Sequence, residues 1–296
     1  MIRLSLVIPT YNRAEQIITT LESVVRQRYD ASQWECIIVD NNSKDDTRQR
    51  VETLMAEHKG LNLRYAFEPK QGLSHARNCG IALCRGEIIA FVDDDETIVD
   101  DFVRRYVKLF DSYPQAMAAG GRIIAQYQSG RPRWMSHYVE LPIANPLDYG
   151  DFVRPFPRGK HPGGGNMAVR REVFERIGLF DTELGRTGNK LIGGEECDLF
   201  KRMSDNNMAV YYEPNAAIYH RIPQEKLTEE YTTRLYHSTG VSQRMRAIND
   251  GRLFRAYIAE VAKWGATLLL CLIHRPAQSR YLLKMRRNIS KGLFKG

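Results

Sequence analysis

The sequence is poor in cysteine, and none of its five, Cys36, Cys79, Cys84, Cys197 and Cys271, stands in a Cys-x-x-Cys pair. An odd number without that spacing argues against a disulfide framework and against a structural zinc site. It suits a reducing compartment, and a cytoplasmic location is expected. Long apolar runs are scarce too. The N-terminal one, Leu4 to Ile8, meets Pro9, which leaves it too short for the hydrophobic region of an export signal. Internal repeats and low-complexity tracts are absent, so a repeat array is not expected. With 43% hydrophobic and 26% charged residues the chain reads as globular rather than disordered or polytopic.

A surplus of positive charge is present, but not where a nucleic-acid-binding domain would need it. Of the net +8, the stretch from Gly251 to Gly296 carries ten Lys or Arg against one acid, Glu260, a local +9 that leaves the first 250 residues at −1. A near-neutral body with a basic tail suits an anionic membrane surface or a solvated end. A pI near 9.2 is all that supports a nucleic-acid-binding protein.

Apolar, β-branched runs alternate with helical periodicity through the first half, the pattern of βαβ units around a parallel sheet. Leu4 to Ile8 reads as a strand stopped by Pro9, and Ile17, Leu21, Val24 and Val25 mark one face of a helix. Strands follow at Cys36 to Val39 and Leu63 to Ala66, and a helix at Leu73 to Leu83. Ile88 to Val92, the most apolar strand, runs into Asp93-Asp94-Asp95. From Gly130 to Gly165 proline, glycine and aromatics predict irregular structure. Glu195 to Asn206 reads as a helix, Ala209 to Tyr212 and Ala216 to His220 as extended, and the chain beyond Leu227 as helical.

In an open parallel sheet, ligands bind beyond the carboxyl ends of the strands, where Thr10, Tyr11, Asn12, Asp40 and Asp93 to Asp95 would gather. An aromatic can stack on a base, and a carboxylate can accept from a ribose hydroxyl. A diphosphate repels carboxylates unless a divalent cation lies between them, so the aspartate triplet implies a metal. An arbitrary run of three aspartates is more often a solvated turn. Here the preceding strand and Glu96 would crowd like charges at one point.

Val7-Ile8-Pro9-Thr10-Tyr11-Asn12-Arg13, Ile38-Val39-Asp40-Asn41-Asn42-Ser43, Gly72-Leu73-Ser74-His75-Ala76-Arg77-Asn78 and Phe91-Val92-Asp93-Asp94-Asp95 resemble the family 2 glycosyltransferases in residues, order and spacing. The resemblance runs on through Gly164-Gly165-Asn166-Met167, Gly178-Leu179-Phe180-Asp181 and Gly194-Glu195-Glu196-Cys197-Asp198-Leu199 to Tyr219-His220, roughly three quarters of the chain.

The resemblance implies an α/β protein of the GT-A fold, a Rossmann-like nucleotide-binding, mixed and mostly parallel sheet flanked by helices, with a C-terminal helical extension. The expected divisions are a nucleotide-sugar-binding half at 1–120, an acceptor-binding half at 121–226 and a basic helical extension at 227–296. It implies an inverting transfer from a nucleotide-diphospho-sugar, UDP by family precedent, held through Mn²⁺ or Mg²⁺. Pro9, Thr10, Tyr11 and Asp40 match positions that cradle base and ribose, with Asn12 and Asp94 beside them, and Arg77 matches one near the diphosphate. Asp93 would face the ribose and the metal, Asp95 the metal, and His220 matches a metal-binding position. Gly164, Gly165 and Asn166 match a turn lining the donor site.

Inversion needs a carboxylate facing the donor from the acceptor side to take the acceptor hydroxyl's proton. The pair Glu195-Glu196 stands where the family has Glu-Asp. Glu196 holds the position of the base, and the added methylene leaves open which glutamate acts. Gln243-Arg244-Met245-Arg246 is followed by Ala247 where processive relatives have tryptophan, and their membrane spans are missing, so transfer of a single sugar to a glycan or lipid-linked acceptor in cell-surface polysaccharide assembly is expected. A sugar nucleotidyltransferase would show a glycine-rich phosphate loop after strand one, and Pro9 to Arg13 has no glycine. In the tail, Phe254, Tyr257, Ile258, Val261, Gly265, Leu268 and Leu272 form a helical stripe suited to the inner membrane face, to a homodimer or to packing within the protein.

Overall fold

Every side chain of Leu4–Thr10 is buried, and this segment, β1, lies at the centre of a sheet. The computed structural model describes residues 1–188 and 191–295. In chain order the elements are β1, α1 (Ala14–Val24), β2 (Trp34–Asp40), α2 (Thr47–Glu57), β3 (Leu63–Phe67), α3 (Leu73–Leu83), β4 (Ile88–Phe91), β5 (Glu96–Ile98), α4 (Phe102–Ser112), β6 (Ala116–Tyr127), α5 (His137–Ala144), β7 (Arg154–Pro155), β8 (Met167–Arg170), α6 (Arg171–Ile177), α7 (Glu195–Asp205), β9 (Ala209–Ile222), α8 (Glu229–Asn249), α9 (Leu253–Ile273) and α10 (Pro276–Lys295).

The sheet runs β3-β2-β1-β4-β8-β6-β9-β5, with β7 on β9. The first four strands are parallel, while β8 is antiparallel to β4 and β6, and β5 to β9. The expected α/β class with a mixed, mostly parallel sheet is therefore met. The two extended stretches read separately around Pro214 are one strand, β9.

Pro9 does not stop β1. Pro9 and Thr10 stay in register with Val39 and Asp40 on the β2 side. On the other side the Val92 N–H donates to the Val7 carbonyl, and the next bond would need an N–H that Pro9 lacks. The β1–β4 ladder ends there, which frees the chain after Val92 to turn through the aspartates. Proline thus places the triplet.

The described residues divide into two units. The first comprises 1–124, 147–183 and 195–221; the second comprises 125–146, 184–194 and 222–296. The division differs from sequence boundaries at 120 and 226, because Met135, Val139, Ile143 and Leu191 belong to the apolar core of the C-terminal helices, with Leu235, Tyr236, Leu282 and Met285. Sequence distance hides such membership.

In the second unit α8 and α10 approach closely at paired glycines. A Cβ on Gly240 would stand 2.0 Å from the Ile289 carbonyl oxygen, and one on Gly292 2.0 Å from that of His237. Backbone cannot yield to a methyl group as a flexible side chain can. Gly292→Val should lower stability by about 3 kcal/mol, the upper range for overpacking, read as a fall in the midpoint of chemical denaturation.

Candidate active site

The loops after β1 and β2 are tied together before any ligand arrives. The Asn12 backbone, at φ 51°, donates to Ser43 Oγ at 2.9 Å, and Lys44 N donates to Asn12 Oδ1 at 2.6 Å. Asp40 is buried and accepts from Ser43 N and from Tyr65 Oη, each at 2.8 Å. Burial and the Asp40 carboxylate together push the Tyr65 phenol well above its ordinary range. Tyr11 is half-buried at the rim, and Pro9 and Thr10 are buried at the strand end.

The aspartate turn carries its own counter-ion. Arg13 Nη1 donates to Asp94 Oδ1 at 2.9 Å and Asp95 Oδ2 at 2.8 Å, while Thr10 Oγ1 donates to Asp94 Oδ2 at 2.8 Å. Asp94 and Asp95 are both 7% exposed. Burial raises the Asp94 carboxyl to about 6, against the attraction of Arg13. Arg221 Nη2 donates to the Asp94 and Gln16 carbonyls and to Thr20 Oγ1. Burial lowers its affinity for a proton more than the aspartates restore it.

The β5–β9 register, Glu96 opposite His220, brings His220 Nε2 within 3.8 Å of Asp95 Oδ1. One oxygen and one imidazole nitrogen at that separation are donors that a divalent cation can bridge. Asp93 instead faces Arg77. Among the described residues, no three His, Cys, Asp or Glu side chains gather to hold a cation by themselves. A cation here would draw its remaining ligands from a diphosphate and water, as Mg²⁺ and Mn²⁺ sites at phosphates do.

Arg77, on α3, is the hub. At 1% exposure it donates from Nη1 to Glu195 Oε1 at 2.7 Å, and from Nη2 to Asp93 Oδ1 and the Gly164 carbonyl, each at 3.1 Å. Burial works against its charge, but Asp93, Glu195 and Glu196 outweigh it and hold the guanidinium above its ordinary range. The rings of Phe91 and Phe180 stand 6.0 and 5.6 Å from it. One side chain thereby joins the end of β4, the glycine turn and the start of α7.

The turn at Gly164-Gly165 is crowded rather than flexible. A Cβ on Gly164 would stand 2.9 Å from Arg77 Nη2, and one on Gly165 2.3 Å from both carboxylate oxygens of Glu96, whose Oε2 accepts from Asp93 N. Asn166 lies beneath the turn, fully buried. Its Oδ1 accepts from Tyr106 Oη, and its Nδ2 donates to the Arg122 and Ala216 carbonyls. With both ends of its side chain engaged, Asn166 holds the turn from below.

The two glutamates opening α7 differ in surroundings. Glu195 is 4% exposed with one oxygen on Arg77 and the other, Oε2, unpartnered. Glu196 is half-buried, with Cys197 Sγ 3.8 Å from its Oε1. Negative side chains in a first helical turn are favoured by the helix dipole. The segment leading to them is anchored on α8: Gly193 N donates to Ser242 Oγ at 3.1 Å, and Gly194, at φ 110°, leaves a Cβ no room beside Arg246 Nη1.

Burial, then the charge of Glu196, push the Glu195 carboxyl up to about 7 although Arg77 pulls it down. From the ordinary carboxylate range to about 7, the folded protein keeps a proton that the unfolded chain has released. Stability from this group is present below that window and falls as pH rises through it. Glu195→Gln should therefore shrink the loss of melting temperature between pH 5 and pH 7.5, compared with the parent in thermal scans.

The fold thus brings Thr10, Asp40, Arg77, Asp93 to Asp95, Gly164, Gly165, Glu195, Glu196 and His220 into one unit at the ends of β1, β2 and β4 and along their neighbours. Sequence reasoning gave no role to Arg13, Arg221 or Tyr65, and counted Glu96 only among the crowded acids. Arg13 stood inside the first motif, and its juxtaposition with the triplet was the available signal.

The sequence model of glycosyl transferase family 2 matches residues 5–178, more than half of the chain. A glucosyl-dolichyl phosphate glucuronosyltransferase of Haloferax volcanii is 26% identical over 224 residues, 74% of this chain and 69% of that protein. Succinoglycan biosynthesis protein ExoM of Rhizobium meliloti is 28% identical over 224 residues, 73% of this chain and 66% of that one. The chain spans about two thirds of the length of these curated relatives. Among solved structures, the mannosyltransferase PcManGT of Pyrobaculum calidifontis, in complex with GDP-Man and Mn²⁺, aligns over 99% of this chain and 87% of its own at a TM-score of 0.66 and 19% identity. S. aureus TarS 1–349 in complex with UDP-GlcNAc aligns over 82% of this chain and 66% of its own, with a TM-score of 0.57 and 18% identity. The fold is GT-A, and the chain belongs to glycosyl transferase family 2.

Proposed function

We propose that this glycosyltransferase moves one sugar, with inversion, from a nucleoside-diphosphate donor, UDP foremost, to a glycan or lipid-linked acceptor of a cell-surface polysaccharide, at the inner face of the cytoplasmic membrane. The observation that carries the reading is the Arg77 hub, which holds the aspartate turn and the opening of α7 in one constellation. Relatives support the acceptor class by their names, among them the Haloferax glucuronosyltransferase and a Campylobacter jejuni GalNAc(5)-diNAcBac-PP-undecaprenol β-1,3-glucosyltransferase, 31% identical over 99 residues. Five free cysteines fit a cytoplasmic setting.

In this reading Pro9, Thr10, Tyr11, Asn12 and Asp40 frame the base and ribose. A divalent cation held by Asp95 and His220, with Asp93 turned to the ribose, would neutralise charge on the diphosphate leaving group. The imidazole ligand favours Mn²⁺ over Mg²⁺, which takes oxygen donors. Glu196 accepts the acceptor hydroxyl's proton as that oxygen bonds to the anomeric carbon and the sugar–phosphate bond breaks, its electrons leaving on the diphosphate. Glu195 is the lesser candidate for the base, since its one bonded oxygen is on Arg77 and it is nearly sealed from solvent.

Calorimetry with UDP, GDP, CMP and dTDP, each with Mn²⁺ and with chelator, tests donor and metal together. One nucleotide should bind in the presence of metal alone. Mn²⁺ without nucleotide should bind far more weakly, because two side-chain donors leave most of its coordination to water. Failure of every nucleotide to bind would refute the donor reading.

A further inference from the structure

The helix α9 shows two contrasting faces. Its inner face packs along α10: Ser290 Oγ donates to Glu260 Oε1 at 2.7 Å, Arg286 Nη1 to Glu260 Oε2 at 3.2 Å, Trp264 Nε1 to Ser290 Oγ at 2.9 Å and Arg286 Nε to Thr267 Oγ1 at 3.3 Å. Contacts at 260 with 290 and at 267 with 286 make the two helices antiparallel. The outer face carries Phe254, Ile258, Val261, Leu268 and Leu272, at spacings of i, i+4, i+7, i+14 and i+18, each between 56% and 81% exposed. Of the sequence-stripe residues, Tyr257 lies elsewhere, its hydroxyl accepting from Arg244. Gly265 sits at i+11 with open space around it. A continuous apolar stripe of this length is not left bare in water without a partner.

We infer that this stripe is a docking surface for an anionic lipid bilayer, on which α9 lies in the plane of the interface. Charge complementarity selects the occupant. The tail from Gly251 carries +9; its one acid, Glu260, is buried under Arg286 and Lys263, and the exposed Glu229 of α8 pairs with Lys284. Arg255, Arg280, Arg287 and Lys291 are exposed around the hairpin, placed for phosphate headgroups while the stripe enters the acyl boundary. A second copy of the same surface would set +9 against +9.

The helix does not cross the bilayer. By length and composition its 21 residues are sufficient. But α10 is bonded along it, and a spanning α9 would draw the exposed Arg280, Arg287 and Lys291 toward hydrocarbon. In the plane, the same bases face the headgroups.

The inference stands apart from the donor-site reading, and the test separates the two. The full chain is sedimented with vesicles of phosphatidylcholine, alone or mixed with phosphatidylglycerol, and each variant's Mn²⁺-dependent nucleotide binding is measured beside it. The chain should pellet with the mixed vesicles alone and be released by salt. The stripe variant Leu268→Glu/Leu272→Glu should lose about tenfold in partitioning. Gly265→Leu, which completes the stripe, should gain, with nucleotide binding unchanged in both. Equal pelleting with neutral vesicles, or resistance of the bound protein to salt and alkaline extraction, would overturn the inference. So would a lipid-independent dimer that Leu272→Glu dissolves.

Discussion

Glu196→Gln should lower the rate of sugar transfer by about a thousandfold, the middle of the range for a positioned general base, while Mn²⁺-dependent nucleotide binding stays as in the parent. Gln keeps the shape of the side chain and removes its ability to take a proton. Its half-buried position at the opening of α7 means the change should leave folding intact. The contrasting variant is Asp95→Asn, which removes the carboxylate facing His220 and should abolish metal-dependent nucleotide binding, and transfer with it. Calorimetry and a transfer assay on the same preparations separate the roles. Loss of nucleotide binding in both variants would refute the division, and full transfer in Glu196→Gln would move the base to another residue.

Arg77→Met should destabilise the protein by about 3–5 kcal/mol at pH 8, because Glu195 loses its partner and must stay buried as an unpaired carboxylate or take up a proton. The cost should shrink at pH 6. With Arg77 gone the Glu195 carboxyl rises further, so the folded protein keeps its proton to a higher pH and the fall of stability with pH extends over a wider range. Adding Glu195→Gln should recover much of the stability lost in Arg77→Met, since the uncompensated charge is then absent. Urea denaturation of the single and double variants at both pH values measures this coupling. Nucleotide binding should stay weak in the double variant, because Asp93 and the Gly164 turn have still lost the guanidinium. Additive effects of the two substitutions would show that Arg77 and Glu195 do not act as a pair.

Much of the first unit was legible in sequence because its signals are local. Apolar runs located β1, β2, β3 and β4, and helical periodicity located α1 and α3. Pro9 was misread as a stop because its effect depends on which neighbouring strand would have needed its N–H. The tail stripe was found by spacing, but Tyr257 belonged to the other side once α8 and α10 were in place. Asn166 was matched to the donor-site turn with the glycines, and its three bonds to Tyr106, Arg122 and Ala216, from 44 to 60 residues away in sequence, were not legible there.

The sequence by itself determined the family, the alternation of strands and helices, and the placement of carboxylates at strand ends. Each of these is written in residue type and spacing over a few neighbours. It also determined that the positive charge lies in the last helices. Only the tertiary structure decided the surroundings of each carboxylate: Glu195 sealed against Arg77 and Glu196 half-buried, Asp93 on Arg77 and Asp95 beside His220. Adjacent acids look alike in sequence. Their difference arises from desolvation and from cations brought by elements far away in the chain, and those terms exist once the chain has folded.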